Sequence, residues 1–291
     1  MSLNLERGQY QIGDLVMGPY TMFKIEDVAI GNYDVNVQDS QKQMSSEISF
    51  GQDSLKPAPI QMTINLLVNK IHPGVAAIMG DSRALNFDDD PHLGDLQREW
   101  RAEEIMQQWG AIKPLYFCGT DGITRQFFGR PGKFTYKRHK EIDSLYYQIT
   151  AEFRRSDTFA YSETEYFVTF VHDVPQTVTL TRGNAASWIR FLIVGPANTP
   201  IINLGSKQIT LHYNIPAGVA VEINSYPWSG RRVVASNGLS LAAYLEMIPD
   251  PYLDKLKIPV NTDLVVSWTA TGLTSASGMS LLWHDAYQVM D

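Results

Sequence analysis

Residues 120–136 read TDGITRQFFGRPGKFTY and contain three glycines, two arginines and four aromatic residues. Such a stretch could hold a phosphate in a glycine loop, or it could form the turns of a β-meander. Asp121-Gly122 tolerates the positive φ angles of a tight hairpin, and Pro131-Gly132 fits the centre of a type II turn. A phosphate loop needs its glycines between a strand and a helix, whereas the strand-like run KFTYKR follows Gly132. The stretch therefore predicts a β-meander with two turns.

The composition is that of a globular chain with an acidic balance. It has 291 residues, 44% of them hydrophobic, and a formal net charge of -7. A tight nucleic-acid partner is disfavoured, because phosphate binding needs a basic patch. Cys118 is the single cysteine, so no intramolecular disulfide can form, and we expect it to be a buried small hydrophobe. Residues 1–10 lack an apolar signal region and no run approaches the roughly 20 apolar residues of a membrane span, so we expect a soluble protein made in the cytoplasm.

Strand-like runs fill residues 10–68, and two other features interrupt the N-terminal half. Residues 38–58 are polar and broken, which predicts a long loop or arm, either lying on the surface or packed on a neighbouring subunit. A helix is expected over residues 91–110, with Asp90 as its cap, Pro91 in its first position and Gly110 as its stop.

The apolar residues of this helix do not form one stripe. One side carries Leu93, Leu96 and Trp100, and the other carries Ile105, Trp109 and Ile112. This pattern predicts a helix held between two surfaces or broken midway.

The last 120 or so residues contain seven short strand-like runs separated by turn residues, a pattern typical of an antiparallel β-sandwich. The polar segment over residues 154–170 is a plausible domain boundary. We expect Trp188, Trp268 and Trp283, which lie within strand-like runs, to belong to the core. Trp228 lies in the loop-like sequence SYPWSGRR and is the best candidate for an exposed contact.

No motif of a catalytic or metal site stands out. Asp88, Asp89, Asp90 and His92 could ligate a hard cation, but without the spaced oxygens of a calcium loop a helix cap is favoured. No GxSxG nucleophile elbow occurs. Glycosidase chemistry needs only two carboxylates at a set distance, a requirement that leaves no signature in a sequence. The sequence predicts no cofactor and no metal.

The order of these features resembles the distal tail proteins, or minor tail proteins, of long-tailed bacteriophages. The resemblance rests on IGNYDVNVQD, FGQD before PIQMTINLLV, the single helix, PLYFCGTDGITRQFFGRPGKF and GNAASWIRFLIVGPANTPII. It implies a ring-forming β-domain over residues 1–165 and a galectin-like sandwich over residues 166–291. It also implies a structural, non-enzymatic virion protein at the tail tip. Such a protein forms a ring, usually a hexamer, that joins the tail tube protein to a tail-tip or baseplate hub protein. The tape-measure protein and then the DNA pass through the ring.

A ring needs an interface in which one patch meets a different patch on the next subunit. We expect candidates for it in Arg125, Phe127, Phe128 and Arg130 and in the arm, with packing inside the subunit as the alternative for each residue. An acidic lumen, which would not hold DNA phosphates, is a further hypothesis.

A second reading is a carbohydrate- or receptor-binding tail protein that acts through its C-terminal sandwich. Here His212 and Asn214 share a strand face, but no WGxE-like run completes a galectin-type site. A cell-wall hydrolase is a third reading.

Overall fold

The computed structural model describes residues 4–31, 34–36, 40–41, 48–49, 54–68, 91–101, 111–140 and 145–288. Within them the chain is mainly β, with antiparallel sheets and one α-helix, as the sequence predicts. The chain divides into two compact units, the first ending at Thr158 and the second spanning Phe159–Gln288. No helix in the described ranges is long and apolar enough to cross a membrane.

In the described ranges, the first unit contains twelve strands and one helix. Its strands are β1 (Tyr10–Ile12), β2 (Leu15–Met17), β3 (Phe23–Ile30), β4 (Asp34–Asn36), β5 (Ser40–Gln41), β6 (Ile48–Ser49), β7 (Ser54–Lys56), β8 (Ile60–Val68), β9 (Leu115–Cys118), β10 (Thr124–Phe127), β11 (Gly129–Lys140) and β12 (Leu145–Arg155), and its helix is α1 (Pro91–Arg101). One sheet includes the strand order β2-β1-β9-β10, and a second sheet has the order β11-β12-β8-β3. Cys118 is buried at the end of β9, as predicted.

One of the two turns expected in the opening stretch is confirmed. Gly122 has a φ of +79° in the connection between β9 and β10, where its amide donates to the Gly119 carbonyl. Glycine reaches this left-handed conformation without the strain that a Cβ causes.

The second expected turn is wrong. Pro131 and Gly132 lie inside β11, where a β-bulge between Pro131 and Phe134 shifts the register with β12. Proline lacks an N–H and is therefore accepted in sheets mainly at edge strands and bulges. Among the described residues β11 is the outermost strand of its sheet, and Pro131 lies at its bulge. Gly129 allows the close approach of β12, because a Cβ there would overlap the Arg154 carbonyl oxygen.

The arm predicted over residues 38–58 is not an irregular loop in its described parts. β4 pairs with β7 and β5 pairs with β6, both antiparallel. The register of this pairing is nearly constant along the hairpin: Ile30 lies opposite Ile60 at one end, and Gln41 lies opposite Ile48 at the other. The arm therefore extends the β3–β8 hairpin. Whether it packs on a neighbouring subunit stays a prediction.

Helix α1 begins at Pro91, the first position expected for it. Leu93, Leu96 and Trp100, which form one of the two apolar sides of the predicted helix, are buried. Trp100 Nε1 donates a hydrogen bond to the Glu152 carbonyl at 3.0 Å. Residues 102–110, including Ile105, Trp109 and the expected stop at Gly110, lie outside the described residues.

The second unit contains the sandwich. Its strands are β13 (Ala160–Ser162), β14 (Tyr166–Phe170), β15 (Gln176–Thr179), β16 (Ser187–Val194), β17 (Ala197–Leu204), β18 (Lys207–Leu211), β19 (Asn214–Ile215), β20 (Ala220–Asn224), β21 (Arg232–Ala235), β22 (Leu245–Ile248), β23 (Lys257–Ile258), β24 (Asp263–Thr271), β25 (Gly278–Trp283) and β26 (Ala286–Tyr287). Short 3-10 helices span Pro227–Ser229, Ala242–Tyr244 and Leu253–Lys255.

Two antiparallel sheets, β14-β25-β16-β20-β21 and β15-β24-β17-β18-β22, enclose one apolar core. Trp188, Trp268 and Trp283 are buried, as predicted. The sequence predicts seven strand-like runs in this part, and the described residues of the second unit contain fourteen strands.

Candidate functional site

The sheet β11-β12-β8-β3 has two chemically different faces, because successive side chains of a strand point to opposite sides. One face carries Phe, Ile, Met and Tyr side chains, and α1 packs there, with the Trp100 and Phe134 rings 6.4 Å apart. We call the opposite side the polar face. Its polar residues include Lys24, Glu26, Asp27, Gln61, Thr63, Asn65, Thr135, Lys137, Gln148, Thr150 and Glu152, and Ala29, His139 and Tyr146 lie on the same side.

The register aligns these polar residues in rows across all four strands. In one row Thr135, Thr150 and Thr63 lead to Asp27. In the next row Lys137 lies opposite Gln148, which lies opposite Asn65 and then Lys24. Although Ala29 and Tyr146 also lie on this side, its rows are mainly polar, which suits contact with water or with a polar partner.

The charge of the polar face is mixed. Lys24 and Lys137 are positive, and Glu26, Asp27 and Glu152 are negative. The face is therefore neither the acidic surface expected for a lumen nor a basic stripe.

The two edges of this sheet carry opposite charge. In the described part of the chain, the outer side of β11 and the outer side of β3 pair with no other strand. β11 presents Lys133, Lys137 and Arg138 as exposed side chains, whereas β3 presents Glu26 and Asp27 beside Lys24. We call these two sides the basic edge and the acidic edge.

Arg155 fastens the base of the arm to this sheet. Its buried guanidinium donates to the carbonyls of Gly31, just after β3, and Ala58, shortly before β8. Nε and the Ala58 oxygen are 2.8 Å apart. Burial lowers the pKa of Arg155. Arg155 could not be recognised from the sequence, because an Arg-Arg pair in a polar segment carries no signal of burial.

The four residues predicted for the interface have different environments. Arg125 donates two hydrogen bonds to the Asp121 carboxylate, 2.5 and 3.1 Å long, and these bonds lower the pKa of Asp121 to about 2. Phe128 is half-buried, and Arg130 Nε donates to the Ala111 carbonyl. For these three, a place in a subunit interface stays a prediction.

Phe127 is a core residue, which corrects its assignment to an interface. Its side chain is fully buried and stacks on Phe117 with the ring centroids 4.9 Å apart. The Arg155 guanidinium also lies over the Phe127 ring, 5.6 Å from its centroid. A fully buried ring has no surface left for another subunit.

The expected exposure of Trp228 is also wrong. Its side chain is 7% exposed, and it packs against Tyr161, Tyr226 and His284 at centroid distances of 4.5, 4.7 and 6.2 Å. The residue lies in a 3-10 helix that starts at Pro227 and ends at Gly230, whose φ is +80°. Pro227 and Gly230, which suggested a loop, are instead the two ends of this helix. The helix directs the indole of Trp228 inward.

Next to Trp228, whose ring stacks on Tyr226, lies a half-buried cluster of charged and polar groups. Arg190 makes a paired contact with Glu165, at 2.8 Å from Nε and 2.6 Å from the terminal nitrogen, and Tyr226 also donates to Glu165 at 2.9 Å. Every group in this cluster has a partner, which is typical of a structural network.

The remaining predicted positions show no assembled site. His212 and Asn214 are both exposed, and His212 Nε2 lies 2.7 Å from the Glu246 carboxylate. Asp88, Asp89 and Asp90 lie outside the described residues. Within the described ranges, no three His, Cys, Asp or Glu side chains gather in a way that could hold a metal ion.

The fold of the whole chain matches solved phage structures. The Dit protein of phage SPP1, described as a paradigm of the hub adsorption apparatus in phages that infect Gram-positive bacteria, aligns with a TM-score of 0.56 and 13% identity over 96% of this chain and 98% of that one. A chain of the phage P2 baseplate in its activated conformation with calcium aligns with a TM-score of 0.50 and 9% identity, over 97% and 99% of the two chains. No protein-family model matches this sequence, and no curated protein sequence does either. The chain thus shares its fold with a phage Dit protein and a baseplate component.

Proposed function

We propose that this chain is a structural protein of a bacteriophage tail tip that assembles head to tail into a ring, with six copies as the stoichiometry. The observation that carries the proposal is the open sheet with one basic and one acidic edge. The fold shared with the SPP1 Dit protein over nearly the full length supports a place in the tail tip.

The direction of the strands supports edge-to-edge assembly. An antiparallel sheet of four strands ends in two edges that run in opposite directions. When the β11 edge of one copy meets the β3 edge of the next, the two strands are antiparallel, so every copy continues the same hydrogen-bond pattern. This contact is heterologous, and it closes into a ring when the rotation per subunit allows it.

The charges select that pairing. The basic edge repels a second basic edge, which protects the free subunit from pairing with itself through β11. It attracts the acidic edge at Glu26 and Asp27, so only the head-to-tail arrangement brings opposite charges together. The net contribution of each exposed charge pair is small, about 0.2 to 1 kcal/mol, so these charges select partners more than they add affinity.

Ring size follows from strand spacing. With strands about 4.8 Å apart, six four-strand sheets give a barrel at least about 37 Å across between backbones, and three give only about 18 Å, which side chains fill. Of these two rings, the larger one leaves a lumen wide enough for a tape-measure protein or a duplex, which agrees with the six copies that we propose. The apolar face needs a core, so the polar face is the side that lines the lumen, where its mixed charge holds no phosphate tightly.

In this role the ring joins the tail tube protein to a tail-tip or baseplate hub protein, in the virion. It passes the tape-measure protein and DNA without specific binding and needs no catalytic chemistry. The arm and residues Arg125, Phe128 and Arg130 are our candidates for further contacts between neighbouring copies.

Charge reversal tests the proposed edges. The double variant Glu26→Lys, Asp27→Lys makes both edges basic, and the triple variant Lys133→Glu, Lys137→Glu, Arg138→Glu makes both edges acidic. We expect each variant alone to lose ring assembly in native mass measurements. Mixed in equal amounts, the two variants should form rings of alternating copies, because opposite edges then meet at every contact.

Asp14→Lys is the matched control, since it makes the same kind of charge change at an exposed turn between β1 and β2. It should assemble like the unaltered chain. Rings formed by either edge variant alone would overturn the proposed pairing, and a wild-type chain that stays monomeric at high concentration and with its tail partners would overturn the ring itself.

A further inference from the structure

The apolar face of the sheet β11-β12-β8-β3 is covered at its centre and open at its two edges. On the central strands its residues are 0 to 3% exposed, namely Ile60, Met62, Ile64, Leu66, Tyr147, Ile149, Ala151 and Phe153. The edge strands differ, because Tyr136 on β11 is 52% exposed, and Ile25 and Val28 on β3 are half-buried. The apolar layer therefore ends with uncovered surface at both sides of the sheet.

Tyr136 is a large side chain that its own subunit covers only in part. Its ring meets the Tyr147 ring edge-on, with the centroids 6.0 Å apart. Its neighbours across the sheet, Ile149 and then Ile64, are fully buried in the same row. A ring at the margin of a buried apolar row gains further burial when a second apolar surface meets it, and tyrosine is enriched in protein interfaces for this reason.

Strand geometry determines what Tyr136 meets when β11 of one copy lies beside β3 of the next. The apolar faces of both copies must point to the same side, since a shift by one residue would turn every side chain over. Opposite residues of an antiparallel pair share a face, so Tyr136 comes beside an apolar-face residue of β3. These residues are Phe23, Ile25, Val28 and Ile30. The first and the last are at most 9% exposed, so the two between them offer the free surface.

We propose that Tyr136 anchors the contact between neighbouring copies by packing its ring on Ile25 and Val28 of the next copy. This inference rests on the proposed head-to-tail ring, and it names the residue that supplies most of the affinity of that contact. An aromatic side chain inside a charged rim is the usual arrangement of a strong interface residue.

The charges of the two edges favour a second copy as the partner of Tyr136. Two cations follow Tyr136 directly on β11, and two carboxylates lie between Ile25 and Val28 on β3. The attraction that brings a basic edge to an acidic edge therefore also brings these apolar side chains together.

Truncation of the ring tests the anchor on the full chain. In Tyr136→Ala both edges keep their charges, but the apolar contact is lost. We expect the protein concentration at half-assembly, measured by sedimentation, to rise about tenfold or more, as it does for residues that dominate an interface.

Tyr244→Ala is the matched control. Tyr244 is 47% exposed and its ring lies 5.9 Å from the Tyr213 ring, but it belongs to the second unit. This variant should assemble like the unaltered chain. Half-assembly of Tyr136→Ala within about threefold of Tyr244→Ala would overturn the anchor and leave the ring standing. An unaltered chain that forms no ring, even with its tail partners, would overturn both proposals.

A cysteine pair tests the same contact even if the alanine variant fails to fold. Opposite residues of an antiparallel pair have Cα atoms about 4.5 to 5.5 Å apart, which a disulfide can span, and the native Cys118 is buried. Tyr136→Cys, mixed with Ile25→Cys or with Val28→Cys under mild oxidation, should give covalent dimers on a non-reducing gel in at least one of the two mixtures. Lys24→Cys, on the polar face of β3, should give none with Tyr136→Cys. Absence of dimers from both apolar-face mixtures, or equal dimers with Lys24→Cys, would overturn the proposal.

Discussion

Gln148 Nε2 donates a hydrogen bond to Glu26 Oε2 at 3.3 Å, although β8 separates the strands that carry these two residues. Asn65 on β8 donates to the same oxygen at 3.1 Å. The β-bulge between Ile25 and Asp27 makes this possible, because it inserts Glu26 as an extra residue at the acidic edge. Glu26 thereby belongs both to the polar face and to the edge that we assign to the subunit contact.

Glu26→Gln separates these two roles. The amide keeps an oxygen that accepts from Asn65 and Gln148 but removes the charge of the edge. We expect the free energy of unfolding of the monomer to change by less than about 0.5 kcal/mol in urea, because the site is exposed. Sedimentation should show weaker ring assembly at low salt, with a shallower further loss as salt is added than in the unaltered chain, because less opposite charge is left to be screened. Unchanged assembly would mean that the charge of Glu26 has no part in the contact.

Gly129 is required by packing rather than by a turn. Gly129→Ala places a Cβ against the Arg154 carbonyl oxygen and should destabilise the first unit by about 1 to 3 kcal/mol in urea unfolding. Gly94→Ala is the control, since Gly94 lies in α1 with open space around its Cβ position. That change should stabilise by about 0.5 to 1 kcal/mol. Equal effects at the two glycines would contradict the close approach of β11 and β12.

The hairpin at Gly122 depends on pH through Asp121. Because the folded state lowers the pKa of Asp121 to about 2, the Arg125 contact stabilises the fold at pH values above about 4 and is lost as the pH falls towards 2. In Arg125→Gln, we expect the Asp121 pKa to return towards about 4 when the carboxyl carbon is followed by NMR. A pKa that stays near 2 in this variant would show that the backbone donors, and not Arg125, set it.

The base of the arm depends on one of two adjacent arginines. Arg155→Gln removes the cation that bonds to the carbonyls of Gly31 and Ala58 and should cost about 1.5 to 3 kcal/mol of unfolding free energy. Arg154→Gln changes the exposed neighbour and should cost less than about 0.5 kcal/mol. If hydrogen exchange next to the arm does not accelerate in Arg155→Gln, this arginine does not fasten the arm.

Local sequence patterns predicted the features that depend on neighbouring residues. Alternation and turn residues indicated a mainly β chain, Asp121-Gly122 indicated a hairpin, and Pro91 marked the start of α1. Pro131-Gly132 has the composition of a turn, but its conformation depends on β11 lying at a sheet edge, which only the tertiary structure decides. The predicted exposure of Trp228 was wrong for the same reason. Its ring packs on Tyr161 and His284, which lie far away in sequence.

The candidate site could not be predicted from the sequence. Its polar face exists only through the register that aligns Lys137, Gln148, Asn65 and Lys24 across four strands. In the sequence, each of these residues by itself indicates only an exposed position on a half-buried strand. The charge difference between the two sheet edges likewise needs the strand order, because β3 and β11 lie about 100 residues apart.

An electron cryomicroscopy reconstruction of the assembled particle tests the ring most directly. We predict six copies around a hole, one continuous antiparallel barrel with β11 of each copy beside β3 of the next, and Thr63, Thr135 and Thr150 facing the lumen. Subunits that meet through the sandwich units, with β3 and β11 open to solvent, or a barrel whose polar face points outward, would contradict the account.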